Sequence, residues 1–197
     1  MALTGFKSRK DGFWKERYRM NELVPLARQA ATLLVSQKET LVVAESSSGG
    51  LLSAALLAIP GASAYFFAGA IVYTARARVL LMDLPRESVA GMRSASEPYA
   101  LLLARTARDR FSATWGLSET GAAGPTGNPY GDSPGHSCIA IAGPIERART
   151  IETGRDDRLD NMRRFAHGAL QLLIETISDA RSAPPNDPAH LNPTVKS

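Results

Sequence analysis

The stretch Leu41-Val42-Val43-Ala44-Glu45-Ser46-Ser47-Ser48-Gly49-Gly50-Leu51-Leu52 decides how this chain is read. Its apolar, β-branched opening predicts a strand that ends at Glu45. Three serines and two glycines then make a tight loop that leads into the apolar segment 51–59, and a helix is expected from about Ser48 to Ala58, stopped by Pro60-Gly61. A strand, a turn and a helix N-terminus in succession bring free backbone N–H groups and the positive end of a helix dipole together, which suits an anion or a developing oxyanion. A serine in that loop is a candidate nucleophile. The same residues serve equally well as a helix cap and a glycine turn.

Upstream, Leu23, Leu26, Ala27, Ala30, Leu33 and Leu34 fall at helical spacing within residues 21–38, with Pro25 in the first turn. Downstream, residues 64–73 read as a short turn and a buried strand ending at Tyr73. A helix follows from about Ala75 to before Pro85, then a short helix over residues 86–91, and another entered at Ser96-Glu97-Pro98 and running to Arg110. Residues 111–118 are strand-like. They lead into a second glycine loop, residues 120–135, too rich in Gly and Pro for regular structure and long for a mere connection. Two strands, 137–142 and 148–152, form a hairpin across Gly143-Pro144, and residues 156–181 close the chain as one long helix.

Alternating helices and strands predict an α/β fold, a three-layer α/β/α sandwich, and the hairpin makes its central sheet mixed. Ligands of such sheets settle at the carboxyl ends of strands. Glu45-Ser46, Tyr73 and Thr120-Gly121 stand there.

The domain is expected to span residues 21–181. Before it lies a basic extension, 1–20, in which Lys7, Arg9, Lys10, Lys15, Arg17 and Arg19 against Asp11 and Glu16 carry the whole net charge of +4. After it lies a Pro-rich tail, 182–197, with the composition of a disordered segment. The 197 residues, 44% hydrophobic, can bury one core, and no apolar run is long enough to cross a bilayer, so no membrane partner is expected. A single cysteine, Cys138, excludes an internal disulfide framework, and no signal-peptide pattern opens the chain; a cytoplasmic setting is expected. No His/Cys cluster has metal spacing, and neither metal nor cofactor is expected. The neutral body lacks a basic stripe with interleaved aromatics, so a nucleic-acid partner working through the basic arm is disfavoured. Domains this rich in apolar residues often pair, which leaves a homo-oligomer open.

Five segments, in order, resemble the C-terminal domain of the competence-damage-inducible CinA proteins, a family that also includes free-standing nicotinamide mononucleotide deamidases. The family's Glu-Ser-Cys-Thr-Gly-Gly stands here as residues 45–50, Pro-Gly-Ala-Ser as 60–63, Tyr-Ser-Asn-x-x-Lys as Tyr73-Thr74-Ala75-Arg76-Ala77-Arg78, Ser-Glu-Pro as 96–98, and Thr-Gly-Ile-Ala-Gly-Pro-x-Gly as residues 120–127. The resemblance covers residues 21–178. It implies an amidohydrolase acting on a linear amide, converting nicotinamide mononucleotide to nicotinate mononucleotide and ammonia, with a pyridine nucleotide as its small-molecule partner. Residue by residue, it implies Ser46 as nucleophile, with Tyr73 and position 78 as its activating partners. Glu45, Ser48, Gly49, Gly50, Thr120, Gly121 and Gly124 are the expected substrate contacts, and Arg158, or Arg155 beside it, the phosphate contact.

One departure bears on the chemistry. Arg78 replaces the family lysine, and a guanidinium stays charged at any working pH, so it cannot take the serine's proton. Tyr73, or a water beside Glu45, is then the expected substitute, with His136 a third candidate. The alternative is a catalytically silent CinA-like protein that binds a nucleotide or serves as an interaction module.

Overall fold

A computed structural model describes residues 19–182; the basic extension, except for its last residues, and the Pro-rich tail beyond Ser182 lie outside the described residues. The central sheet has five strands in the order β2-β1-β3-β4-β5. These are β1 (Leu41–Glu45), β2 (Phe66–Ile71), β3 (Trp115–Ala122), β4 (His136–Ala142) and β5 (Arg147–Glu152). β1 pairs in parallel with β2 and β3, while β3–β4 and β4–β5 are antiparallel, so the sheet is mixed as expected.

Helices cover both faces. On one, α1 (Val24–Ser36), α2 (Leu51–Leu57) and α5 (Arg158–Ser182) pack over Leu41, Val43, Leu117, Ile139 and Ile141. On the other, α3 (Ala75–Met82) and α4 (Glu97–Phe111) cover Val42, Ala44, Cys138 and Ala140. β1 sits between two parallel neighbours with helices above and below, which is why it reads as an unbroken apolar run and is buried at every position. Pro25 occupies the first turn of α1, where its missing N–H costs nothing, and Ser96 caps α4 by accepting from the Tyr99 N–H. Trp115 is fully buried, its indole N–H donating to Glu39 at 3.1 Å.

Three sequence expectations change. β2 is an edge strand whose residues alternate between half-buried and exposed, not a buried strand; apolar composition reveals that a segment is extended but not its place in the sheet. Residues 86–91 form only a 3-10 turn, Glu87–Val89. Thr120, Gly121 and Ala122, expected as the start of the glycine loop, are the last residues of β3, paired with Cys138, Ser137 and His136. Gly121 allows that pairing: a Cβ there would lie 2.2 Å from the His136 carbonyl oxygen.

Register fixes the height of the site. Ala44 lies beside Ser118 and Glu45 beside Ile71, so Ser46, Tyr73 and Thr120 leave their strands at nearly the same level, on the carboxyl rim of three adjacent parallel strands. No helix among the described residues is long and apolar enough to cross a membrane.

Candidate functional site

The serine loop is held by two buried glutamates. Glu45 turns inward against the start of α2. Its Oε2 accepts from the Ser48 hydroxyl at 2.7 Å and from the N–H groups of Gly50 at 2.9 Å and Leu52 at 3.1 Å; its Oε1 accepts from the Ser53 N–H at 3.0 Å and hydroxyl at 2.6 Å. The orphan donors of the helix N-terminus are thus taken by the protein's own carboxylate, not left for a ligand. Neither Ser46 nor Ser48 caps the helix; Gly50 holds that position with φ of 97°.

Glu119, on β3, is the second clamp. Its Oε2 accepts from the N–H of Ser46 at 3.2 Å and of Ser48 at 2.8 Å, and its Oε1 from the hydroxyls of Ser47 and of Ser137, the latter at 2.8 Å. With Ser47 and Ser48 drawn into these bonds, Ser46 is the loop serine whose hydroxyl has no protein partner among the described residues.

Ser46 faces a cavity of about 330 Å³ whose walls include Tyr73, Arg78, Tyr99, Thr120, Gly121, Asn128 and Tyr130. A second cavity, about 240 Å³, adjoins it at the glycine loop and shares Tyr73, Gly121, Asn128 and Pro129; Gly124 and Arg158 also line it. Arg158, the first residue of α5, donates to the Gly124 carbonyl at 2.8 Å and to the Tyr73 phenol oxygen at 3.1 Å. Arg155 instead lies near Asp160. Arg78 is buried, donates through Nε to the Leu84 carbonyl at 3.0 Å, and is part of the cavity wall.

Of the residues expected at the site, the structure therefore gathers Ser46, Tyr73, Arg78, Thr120, Gly121, Gly124 and Arg158 around the two cavities. Glu45, Ser48, Gly49 and Gly50, expected as substrate contacts, line neither. Glu45 and Ser48 are fully buried in the clamp, while Gly49 and Gly50, with φ of 65° and 97°, make the turn in the left-handed region. A water beside Glu45 is likewise no base, because that carboxylate is sealed from the cavity by its five donors. Two residues went unanticipated. Glu119 is one. The other is Asn161, fully buried on α5, whose amide donates to the carbonyls of Ala123 and Arg155, both at 2.8 Å, and so pins the glycine loop to the helix. A charged or amide side chain inside an otherwise buried strand or helix stripe is the signal that could have found both.

His136 is not a general base here. It lines neither cavity; Nδ1 bonds the Glu152 carboxylate and Nε2 the Ala95 carbonyl at 2.9 Å, with Asp132 at 3.8 Å. Burial pushes its pKa down, but the bond to Glu152, the Ala95 carbonyl and the nearby Glu152 and Asp132 charges outweigh it, leaving it above the ordinary 6.5. A raised folded-state pKa stabilises the protein fully below about pH 6.5 and less as pH rises through the folded value. Urea unfolding should therefore show a midpoint that falls from pH 6 to pH 8, with less of a fall in His136→Gln. Asp132 also binds Arg93, and with desolvation opposing them, its bonds to Asn128 and Arg93 hold its carboxyl below the usual range. Cys138 is buried, which pushes its thiol pKa up and makes it inert. Among the described residues no His, Cys, Asp or Glu group is placed to hold a metal ion.

Gly124 carries a second test. Its φ is 105° and a Cβ would lie 2.6 Å from the Asp156 carbonyl oxygen, so Gly124→Ala should strain the loop by about 1–3 kcal/mol and weaken the Arg158 contact. The check is a lower melting temperature together with weaker nucleotide binding by calorimetry.

The sequence model of the CinA C-terminal domain matches residues 23–177. A CinA-like protein of Gloeobacter violaceus is 39% identical over 154 residues, 77% of this chain and 36% of that protein. One of Chlorobaculum tepidum is 34% identical over 163 residues, 79% of this chain and 38% of that protein. The chain thus spans little more than a third of the length of these curated relatives. Among solved structures, a CinA superfamily protein from Enterobacter cloacae superposes with a TM-score of 0.73 at 26% identity, covering 79% of this chain and 92% of the other. The competence/damage inducible protein of Agrobacterium tumefaciens gives the same TM-score and identity, covering 80% and 96%.

Proposed function

The chain belongs to the CinA C-terminal domain family, and from that premise we propose that it is a nicotinamide-nucleotide amidohydrolase, which deamidates nicotinamide mononucleotide to nicotinate mononucleotide and ammonia. The observation that carries the reading is a partnerless Ser46 hydroxyl in a cavity walled by Tyr73, Thr120 and Arg78 and continuous with the Arg158 cavity. The carboxamide end occupies the first cavity and the nucleotide phosphate the second, where Arg158 and the glycine loop lie. Ser46 Oγ attacks the carboxamide carbon. Its proton is relayed through the Tyr73 hydroxyl, whose oxygen accepts from Arg158, to the departing ammonia. The tetrahedral oxyanion is met by the Thr120 hydroxyl and the Arg78 guanidinium, and water then releases the acid.

Ammonia release from nicotinamide mononucleotide is the test. Native protein should release it, Ser46→Ala should not, and Tyr73→Phe should lower kcat about 10²–10⁴-fold with little change in Kd. A second reading, a silent relative that binds a nucleotide without turning it over, is favoured by one observation: among the described residues no side chain, Tyr73 included, hydrogen-bonds Ser46 Oγ. Nucleotide binding without ammonia from native protein would establish that reading.

A further inference from the structure

α3 is inside out. Leu80 is 68% exposed, and Val79 and Leu81 also stand in solvent, while Arg78 in the same turn is only 9% exposed. Its terminal nitrogens are not among the buried atoms that lack a partner, so the guanidinium head reaches open space, and it does so without a paired acid: among the described residues no carboxylate is within ion-pair distance of Arg78, and nearby Asp83 pairs with Arg110 instead. The Leu84 carbonyl takes its Nε–H, and the side chain then fronts the Ser46 cavity. Among the described residues that line this cavity Arg78 is the sole charge, and among those that line the adjoining cavity Arg158 is the sole charge. These two joined compartments, each with one arginine and no acid, suit a ligand that is anionic at both ends; on its other side Arg78 borders a further cavity that carries Arg86 and Glu87.

We propose that Arg78 is a specificity-determining residue that selects the carboxylate form of the pyridine nucleotide, so that the site binds nicotinate mononucleotide more tightly than nicotinamide mononucleotide. This rests on the functional reading above, which places the carboxamide end beside Arg78. A carboxamide presents one acceptor and one donor; a guanidinium presents donors alone, so the amide NH₂ meets N–H groups it cannot bond. A carboxylate presents two acceptors and the missing charge, the group an arginine fork matches. Lysine at this position is a point donor that turns between partners, which makes Arg78 the feature that tilts this chain toward the acid product.

Titration calorimetry of the full chain carrying Ser46→Ala, which should not turn the amide over, with each of the two mononucleotides tests the proposal. This protein should bind the nicotinate form at least about tenfold more tightly than the amide form. Adding Arg78→Met should erase the preference and adding Arg78→Lys reduce it. Equal affinities with Arg78 present, or a preference that survives in the folded Arg78→Met protein, would overturn the proposal and leave the amidohydrolase reading standing. Failure to bind either nucleotide, in native protein as in Ser46→Ala, would end both.

Discussion

Glu45→Gln should destabilise the protein by about 2–4 kcal/mol, and Glu45→Ala by more, although the residue touches no ligand. Both oxygens of the native carboxylate accept from backbone N–H groups, Oε2 from Gly50 and Leu52, Oε1 from Ser53. A glutamine NH₂ in place of either oxygen faces an N–H that cannot reverse its role, in a setting from which water is excluded. The negative charge facing the start of α2 is lost as well. Urea unfolding should show the drop directly, and the melting temperature should fall by roughly 10 °C for a chain of this size. A Glu45→Gln protein as stable as native but deficient in turnover would mean instead that the carboxylate serves the substrate.

Glu119→Ala should cost the loop its anchor and turnover about a hundredfold, because Ser46 and Ser48 hang from this carboxylate by their backbone N–H groups and a shift of the order of 1 Å suffices for such a loss. Glu119→Gln should be much milder than Glu45→Gln, within about 1 kcal/mol of native. The reason lies in the partners. Oε1 of Glu119 accepts only from the hydroxyls of Ser47 and Ser137, which can turn and accept from an amide, while the retained oxygen still serves the two N–H groups. Paired unfolding curves for the two glutamine variants check this asymmetry, and equal losses would contradict it.

What the sequence made legible follows from what local pattern encodes. The run 41–44 with its serine and glycine turn placed β1 and the loop, and the carboxyl ends of β1, β2 and β3 came together because parallel strands in an α/β sheet share one rim. Side-chain direction at those ends was not legible. Glu45 was read as a ligand contact because a residue at a strand end can face either the cavity or the following helix, and only the position of α2 decides. Glu119 falls on the same strand phase as Trp115 and Leu117 and so breaks the alternation, but what makes a carboxylate fit there, the donors of residues 46–48, appears only once that loop has folded across it. His136 follows the glycine loop in sequence and pairs with Ala122 at the site end of β3, yet its side chain turns away toward Ala95 and Glu152. β2 looked buried because strand order, which puts it at the edge, leaves no trace in composition.

The most direct measurement is mass spectrometry of native protein quenched in acid during turnover of nicotinamide mononucleotide. The account predicts a covalent acyl adduct of the nucleotide on the peptide carrying Ser46, absent from Ser46→Ala. Ammonia release that persists in Ser46→Ala, or an adduct carried by a different residue, would contradict it.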